Sequence, residues 1–545
     1  GDKDEAEKNL RLAVKLGAKE PEAWVALCQF LATNGRKPEG EKLIPQAESA
    51  LPNDVKAMAL ARCFEVLGQA EQARQLYQEA LQARPDDMPT IQAVVNFHIR
   101  GGRLSDAEPL LNKVFQGKYK EGKTWARRGL ALVQAARGDL QHFGEALAFV
   151  GLRYDAREGQ VVEVEAPADG VSVDDRRVQA QVLATQPVRA FRSKAIACLL
   201  EVEKRGALTV DDRALLVRLY ESDGNVARAR EQWQALVNAQ AANPAYLAGY
   251  ADHLLRTRQL NEAGLILKRL DEVEKAKKVE AGTFGSVELT ARWLEARGEG
   301  AKALELLRGY VARKGSRPTD VFLLVSSLAR QKQLEEALAL CDKAWEDCPS
   351  EVVSRAVIGL LRAGPVTPDQ VARAQQRIEE ASRKHPDDAL YLLHLADIHD
   401  LRGDYLQAQA IYRRVLDKDG KNFVALNNLA WLLAQTSGDK KEALQLVGRA
   451  IEALGERPEL LDTRASVFLA QKQADRAIAD LEKANADART DARSFRLAQA
   501  YLLANDRANA ARAFHEAQQA GLKAEQLHPT EQKAFRQLVN ELTPQ

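Results

Sequence analysis

The chain has 545 residues, of which 46% are hydrophobic but only 6% aromatic, a composition typical of many short helices packed together. Its 78 Lys and Arg residues against 77 Asp and Glu give a net charge of +1, which removes the electrostatic case for binding nucleic acid or an anionic membrane. Five cysteines without CxxC spacing indicate neither a disulfide framework nor a zinc site, and no apolar run of about 18 residues predicts a membrane span.

The first part of the chain predicts short helices arranged in pairs. Residues 4–16 are predicted to be the second helix of an incomplete pair, and full pairs follow from Pro21 to about residue 150. Small residues recur in the predicted second helices at Gly40, Ala73 and Ala107, at intervals of 33 and 34 residues. Because the chain starts with a half pair and without Met, we expect the natural protein to begin upstream.

The pattern stops at residues 151–175, where no helical period is present. We predict an insertion loop there, with a small hairpin at residues 159–166 as one alternative. Loops of this length are usually functional or disordered, so a contact with a partner and mere tolerance of the insertion both stay open. The following residues, 176–208, predict an atypical helix pair broken at Gln186 and Pro187.

The period resumes in the central part and becomes most regular from residue 389. One interval, from Ala263 to Ala303, measures 40 residues, and the extra length falls at residues 272–281, which we predict to lengthen a second helix. In the regular part, small residues at the same position of the second helix are separated by 35, 34 and 33 residues: Ala408, Ala443, Ala477 and Ala510. A closing helix should cap the last apolar face, as the ends of repeat arrays require.

These observations divide the chain into six predicted segments. They are an N-terminal array at 1–150, the insertion loop at 151–175, the atypical pair at 176–208, a central array at 209–388, a regular array at 389–524 and a C-terminal capping helix at 525–545.

Two stretches of the regular array, residues 392–416 and 426–451, resemble tetratricopeptide (TPR) repeats. Each has a large residue, a small residue in the first helix, a Gly-Asp turn and an alanine in the second helix, with a period of about 34 residues. The resemblance implies an all-α fold, a right-handed α-solenoid of about fourteen TPR-like helix pairs with one long insertion loop. It also implies a concave groove lined by the first helix of each pair.

No sequence motif predicts catalysis, a cofactor site or a metal site. The densest polar cluster, His394, Asp397, His399 and Asp400, lacks the i, i+4 histidine spacing that helical metal sites use, so we interpret it as polar groove or turn surface. Among the cysteines, Cys348 is predicted to be the most exposed because it precedes a proline between two pairs.

We predict that the groove binds a partner through polar and aromatic residues of the first helices. The resemblance places these residues at recurring groove positions, namely Arg62, Asn96, Arg100, Arg218, Asp252, Arg256, Arg292, Asn427, Trp431 and Phe495. As a set, the arginines would allow the groove to pair with carboxylates.

The sequence therefore predicts a non-catalytic protein–protein interaction scaffold or adaptor in the cytoplasm that binds one or more proteins or peptides, with no nucleic acid and no membrane span. A larger multi-protein complex is a further candidate setting. The alternative is the regulatory or substrate-recruiting region of a larger enzyme or complex, whose catalytic part lies upstream or on another chain.

Overall fold

The structure is a computed structural model that describes residues 3–155, 158–164, 171–276, 285–313, 315–364, 366–436 and 438–542. By its internal contacts the chain divides into two compact units. Unit 1 comprises Gly1–Arg137 and His142–Arg153, and unit 2 comprises Gly138–Gln141 and Tyr154–Gln545.

The helices up to residue 149 follow the predicted pairs. Their bounds are α1 Lys3–Leu16, α2 Pro21–Thr33, α3 Lys37–Glu41, α4 Ile44–Ala50, α5 Asn53–Leu67, α6 Ala70–Ala83, α7 Met88–Arg100, α8 Leu104–Gln116, α9 Lys123–Ala135 and α10 Leu140–Phe149. The second helix of the first full pair is divided into α3 and α4. Gly40 on α3 lies so close to α5 that a Cβ atom there would come within 2.5 Å of Leu67 Cδ2, which explains why glycine replaces the usual alanine.

Two short strands replace part of the predicted loop. Strand β1, Leu152–Asp155, pairs with β2, Gln160–Glu163, in a two-stranded sheet. A hairpin is present, but it lies earlier than predicted, because the predicted segment 159–166 supplies only its second strand. Residues 156–157 and 165–170 of the predicted loop lie outside the described residues.

Beyond the strands, paired helices continue to the end of the described chain. Their bounds are α11 Val173–Leu183, α12 Arg189–Lys204, α13 Val210–Ser222, α14 Val226–Ala239, α15 Pro244–Arg256, α16 Leu260–Ala276, α17 Ser286–Ala296, α18 Gly300–Ala312, α19 Val321–Arg330, α20 Leu334–Ala344, α21 Ser350–Ala363, α22 Pro368–Lys384, α23 Ala389–Leu401, α24 Tyr405–Lys418, α25 Phe423–Gln435, α26 Lys440–Leu454, α27 Pro458–Ala470, α28 Ala474–Asp487, α29 Asp491–Leu503, α30 Arg507–Gln519 and α31 Pro529–Leu542.

The fold is an all-α helical repeat, as predicted. With α3 and α4 taken together, the described residues form fourteen helix pairs, from α2 with α3 and α4 to α29 with α30, flanked by α1 and α31. Helix α16 has 17 residues where its neighbour α14 has 14, in line with the predicted lengthening, although residues 277–284 lie outside the described part. No helix within the described ranges is both long and apolar enough to cross a membrane.

The small residues that define the period form the core between helices. In the regular array, one alanine of each first helix and one of each second helix are fully buried. They are Ala396, Ala430, Ala465 and Ala498 in the first helices, and Ala408, Ala443, Ala477 and Ala510 in the second helices. A larger side chain at any of these crossings would push the two helices apart, so the spacing read from the sequence corresponds directly to packing.

In most of the fourteen pairs, the turn between the two helices places one described residue in the left-handed backbone region. In seven pairs this residue is a glycine, such as Gly403 with a φ of 79°. Four pairs place another residue there, with φ between 58° and 63°: Arg258, Lys332, Lys472 and Asn505. Such a backbone costs about 1 kcal/mol or more for a residue with a Cβ atom, so these four turns are strained.

The atypical pair α11–α12 makes a contact that the regular pairs do not require. The backbone N–H of Arg189, at the start of α12, donates to Asp487 Oδ1 at the end of α28 over 2.6 Å. Arg192 donates to the backbone carbonyl of Asp487 at 3.3 Å. These contacts join residues almost 300 positions apart in the sequence, so α12 packs against a distant pair as well as its neighbours.

Candidate binding surfaces on the first helices

Three of the predicted groove residues lie together in unit 1. Arg62 on α5 and Asn96 and Arg100 on α7 line one cavity of about 540 Å³, which we call the Arg100 cavity. Gln29 on α2, Glu65 on α5 and Tyr77 on α6 complete its polar lining. Three successive first helices therefore contribute to one concave site within this unit.

The arginines of the Arg100 cavity are paired within the chain. Arg100 Nη2 lies 2.6 Å from Glu65 Oε1, and Arg62 lies 3.0 Å from Glu22. Tyr77 Oη donates to the second oxygen of Glu65 at 2.7 Å. The side chain of Arg100 is nevertheless 59% exposed, so its remaining N–H groups face solvent.

The same arrangement recurs in unit 2. Glu221 on α13 accepts a hydrogen bond from Trp233 on α14 at 3.0 Å and from Arg256 on α15 at 2.8 Å. Glu65 and Glu221 each bond to an aromatic residue 12 positions later and to an arginine 35 positions later. Burial alone would raise the pKa of Glu221, but the hydrogen bonds from Trp233, Arg256 and His253 lower it below its usual value.

A second acidic residue joins two more predicted arginines. Asp252 on α15 lies 2.9 Å from Arg256 on the same helix and 2.6 Å from Arg292 on α17. Arg218 on α13 is exposed and forms no ion pair among the described residues. Arg62, Arg100, Arg256 and Arg292 each pair with a carboxylate one repeat away, so a partner's carboxylate would share or replace these contacts, and binding through the arginines stays a prediction.

Asn427 and Trp431 lie in a second cavity, within unit 2. This cavity of about 310 Å³, which we call the Trp431 cavity, is formed by residues of five successive first helices, α21, α23, α25, α27 and α29. Its polar lining consists of Arg362, Asp397, Asp400, Asn427, Asn428, Glu459, Asp462, Thr463 and Arg496, together with Tyr412 of α24.

Most charges of the Trp431 cavity are compensated. Arg362 lies 2.7 Å from Asp397, whose other neighbour, Tyr412, donates to it at 3.1 Å. Burial raises the pKa of Asp397 above its usual value, and Arg362 offsets this only in part. Arg496 lies 2.9 Å from Asp462 and 2.7 Å from Glu531.

The segment before α31 reaches this cavity. His528 Nε2 lies 3.2 Å from Asp400 Oδ1, and its ring stands edge-on to the ring of Trp431, with the centroids 4.7 Å apart. Thr530 Oγ1 lies 3.4 Å from Gln435 Oε1 at the end of α25. The C-terminal cap therefore touches first helices three and four pairs upstream, a contact that the sequence analysis did not predict.

Phe495 is not part of a groove surface. Its side chain is fully buried, and its ring lies 5.6 Å from that of Phe535 on α31. The capping helix covers the face of α29 on which a groove residue was predicted. The prediction for Phe495 is therefore wrong, since the last pair is covered by the cap.

The polar cluster of α23 is divided among separate partners. His394 Nδ1 lies 3.0 Å from Ser354 Oγ, while Asp397 and Asp400 have the contacts given above. Among the described residues, no group of three or more His, Cys, Asp and Glu side chains is arranged to hold a metal ion. Cys348, predicted to be exposed, is only 9% exposed because it packs in a cluster with residues of α19 to α22.

Comparison with known proteins identifies the repeats. Two models described as tetratricopeptide repeat match this chain, one over residues 401–467 and one over residues 369–422. The chain therefore contains tetratricopeptide repeats, and helix pairs occupy most of the rest of its described length.

Several proteins share this pattern at low identity. A TPR repeat-containing protein of Pseudomonas aeruginosa is 28% identical over 27% of this chain and 24% of its own length. Cellulose synthase operon protein C of Pseudomonas fluorescens is 25% identical over 82% of this chain and 35% of its own length. The protein of the same name from Xanthomonas axonopodis pv. citri is 24% identical over 83% of this chain and 34% of its own length. The chain thus spans between about a quarter and about a third of the length of the curated relatives it matches.

Two solved structures match this chain over most of its length at low TM-scores. The crystal structure of yeast Tom70 gives a TM-score of 0.31 at 13% identity, over 96% of this chain and 95% of that one. The APC/C hetero-tetramer Cut9–Hcn1 gives a TM-score of 0.34 at 14% identity, over 92% of this chain and 94% of that one.

Proposed function

We propose that the chain is a non-catalytic scaffold that binds an extended segment of a partner protein on the surfaces of its first helices. One observation carries the proposal: in each unit, successive first helices line a cavity with polar side chains, and an aromatic ring joins them, Tyr77 of α6 in the Arg100 cavity and Trp431 of α25 in the Trp431 cavity. Surfaces of this kind bind without much ordering of the scaffold, so many modest contacts add up to useful affinity.

The internal ion pairs support a preformed surface. Glu65 and Glu221 each hold an arginine of the next pair in place, which fixes those side chains before a partner arrives. Exposed ion pairs of this kind contribute at most about 1 kcal/mol to stability, so their main effect is on the geometry of the surface. A partner would meet the outward N–H groups of the arginines and the exposed Asn96 and Arg218.

Site-specific photo-crosslinking tests the proposal. A photoreactive residue replaces Asn96 or Arg218 on first helices, and matched controls replace Leu265 or Leu406, which are 70% and 78% exposed on second helices. Each variant is exposed to lysate of the native organism, and crosslinked proteins are identified by mass spectrometry. We expect one partner to be crosslinked through Asn96 and Arg218 but not through the controls. Crosslinks through the controls alone would move the interface to the second helices and refute the proposal.

A second candidate function is the recruiting region of a larger enzyme or complex. It is favoured by the similarity to cellulose synthase operon protein C over more than four-fifths of this chain, at about a third of that protein's length. In this case the bound partner would be a component of a polysaccharide-synthesising assembly. Co-purification of the native, full-length protein tests it: recovery of a glycosyltransferase subunit supports this candidate, and its absence from the purified complex speaks against it. Cytoplasmic location stays a prediction.

A further inference from the structure

We propose that the Trp431 cavity takes a lysine or arginine side chain of the bound segment, and that His528 of this chain competes for the same position. This inference rests on the proposed function, because it assumes that the first helices bind a partner segment. It names the chemistry of one contact and the intramolecular group that regulates it.

The cavity lining carries more carboxylates than cationic side chains. The guanidinium of Arg496 forms ion pairs with the carboxylates of Asp462 and Glu531, and Arg362 forms an ion pair with Asp397. Two lining carboxylates are then left without a lysine or arginine partner among the described residues, those of Asp400 and Glu459. The site thus has an excess of negative charge that a cationic side chain would neutralise, whereas a carboxylate would be repelled.

The uncharged part of the cavity lining also suits a cationic side chain. Trp431 is half-buried and offers an indole ring, the aromatic surface to which ammonium and guanidinium groups bind best. Asn427 Oδ1 is buried and accepts no hydrogen bond from the described residues. The carboxylate oxygens, the amide oxygen of Asn427 and the indole ring can all interact favourably with a cationic group.

The imidazole of His528 already occupies the edge of the cavity. His528 places Nε2 3.2 Å from Asp400 and stands edge-on to Trp431. Its Nδ1 lies 2.7 Å from Thr530 Oγ1 and 3.4 Å from the backbone nitrogen of Thr530. Because a carboxylate only accepts hydrogen bonds, Nε2 is the donor to Asp400. The imidazole therefore makes the two contacts, with a carboxylate and with the indole, that we assign to the cation of the partner.

Competition between His528 and the partner's cationic side chain should weaken partner binding. A partner cation that binds Asp400 and Trp431 must displace His528, so the affinity for the partner is reduced by the fraction of molecules in which His528 is bound. Removal of His528 should strengthen binding, and a permanent cation at position 528 should weaken it.

A peptide selection on the full chain tests the inference. A randomised peptide library is selected against the native protein, and each selected peptide is also made with its basic residue replaced by norleucine. We expect Lys or Arg enriched at one peptide position, with about tenfold weaker binding of the norleucine peptide. Asp400→Asn combined with Glu459→Gln, which keeps the shapes of both side chains, should bring that ratio close to one. The matched control, Asp417→Asn combined with Glu452→Gln, replaces exposed carboxylates on the second helices α24 and α26 and should leave the ratio unchanged.

Two variants of His528 test the competition. We expect His528→Ala to bind the basic peptide about threefold more tightly and His528→Lys to bind it more weakly than the native protein. Circular dichroism establishes that each variant is folded before binding is measured.

The outcomes separate the two levels of the proposal. Selected peptides without a basic preference, or a norleucine ratio that the acidic double variant does not change, overturn the assignment of a cation and leave the scaffold function standing. If the native protein selects no peptide at all, the proposed function and this inference fail together. Equal affinity of the native protein, His528→Ala and His528→Lys refutes the competition.

Discussion

Arg496 is the residue whose loss should most clearly separate the capping helix from the repeats. It is 9% exposed and joins three elements: its guanidinium pairs with Asp462 on α27 and with Glu531 on α31, while its own backbone belongs to α29. Burial opposes its charge, but the two carboxylates more than offset this, so the pKa of Arg496 lies above its usual value. Arg496→Met would leave Glu531, which is 5% exposed, as a buried charge without its partner.

The magnitude follows from that unpaired charge. Breaking a buried ion pair by removing one partner costs about 3 to 5 kcal/mol. For the local opening of α31, 3 kcal/mol corresponds to an increase of roughly a hundredfold in the open population. Native-state hydrogen exchange of the α31 amides measures this opening directly, without the need for two-state unfolding, which long repeat arrays often violate.

Two further variants make the result interpretable. Arg489→Met removes an exposed pair with Glu516, at 3.1 Å, and should change exchange by less than about tenfold. Adding Glu531→Leu to Arg496→Met removes the buried charge and should restore much of the protection of α31. If Arg496→Met leaves α31 exchange unchanged, the cap is held by apolar packing alone and the reasoning is refuted.

Three other predictions concern the strained turns, a buried histidine and the distant contact of α12. Lys332→Gly should stabilise the protein by about 0.5 to 1 kcal/mol in urea titrations, because it removes a side chain from a left-handed backbone position. Gly403→Ala should destabilise the protein by a similar amount. A less stable Lys332→Gly variant together with a more stable Gly403→Ala variant would refute the claim that these turns are strained. Burial lowers the pKa of His394 from 6.5 to about 4, so only the unfolded chain takes up this proton between those pH values and stability falls as the pH drops through that window. His394→Gln should therefore flatten the pH dependence of the urea midpoint there; a curve parallel to that of the native protein would contradict this. Asp487→Ala removes the acceptor of the Arg189 N–H and should speed exchange in the first turn of α12 by about tenfold, whereas Asp487→Asn should have little effect.

The fold was predictable because the repeat spacing is a direct record of packing. Ala408 and Ala443 are buried at equivalent crossings for the same steric reason, so a period found in the sequence could be converted into helix pairs. The contact between α12 and Asp487 was not predictable, since it depends on how distant pairs of unit 2 meet and not on the local pattern. The sequence showed only that residues 176–208 depart from the repeat.

The candidate site was predicted in part. Arg100 and Trp431 lie in cavities lined by first helices, where the repeat positions indicated. The pairing of Arg100 with Glu65 was missed, although their separation of 35 residues matches the repeat and could have revealed it. Phe495 was misplaced because a rule for interior repeats does not account for the helix that covers the last one.

Binding of a partner segment to the first helices is the central proposal for this protein. Hydrogen exchange of the full chain with and without a selected peptide or crosslinked partner tests it most directly. We predict that protection increases in α5 and α7 around the Arg100 cavity, or in α23, α25 and α27 around the Trp431 cavity, with α8 and α26 unchanged. Protection confined to the second helices, or to the strands β1 and β2, would contradict the account.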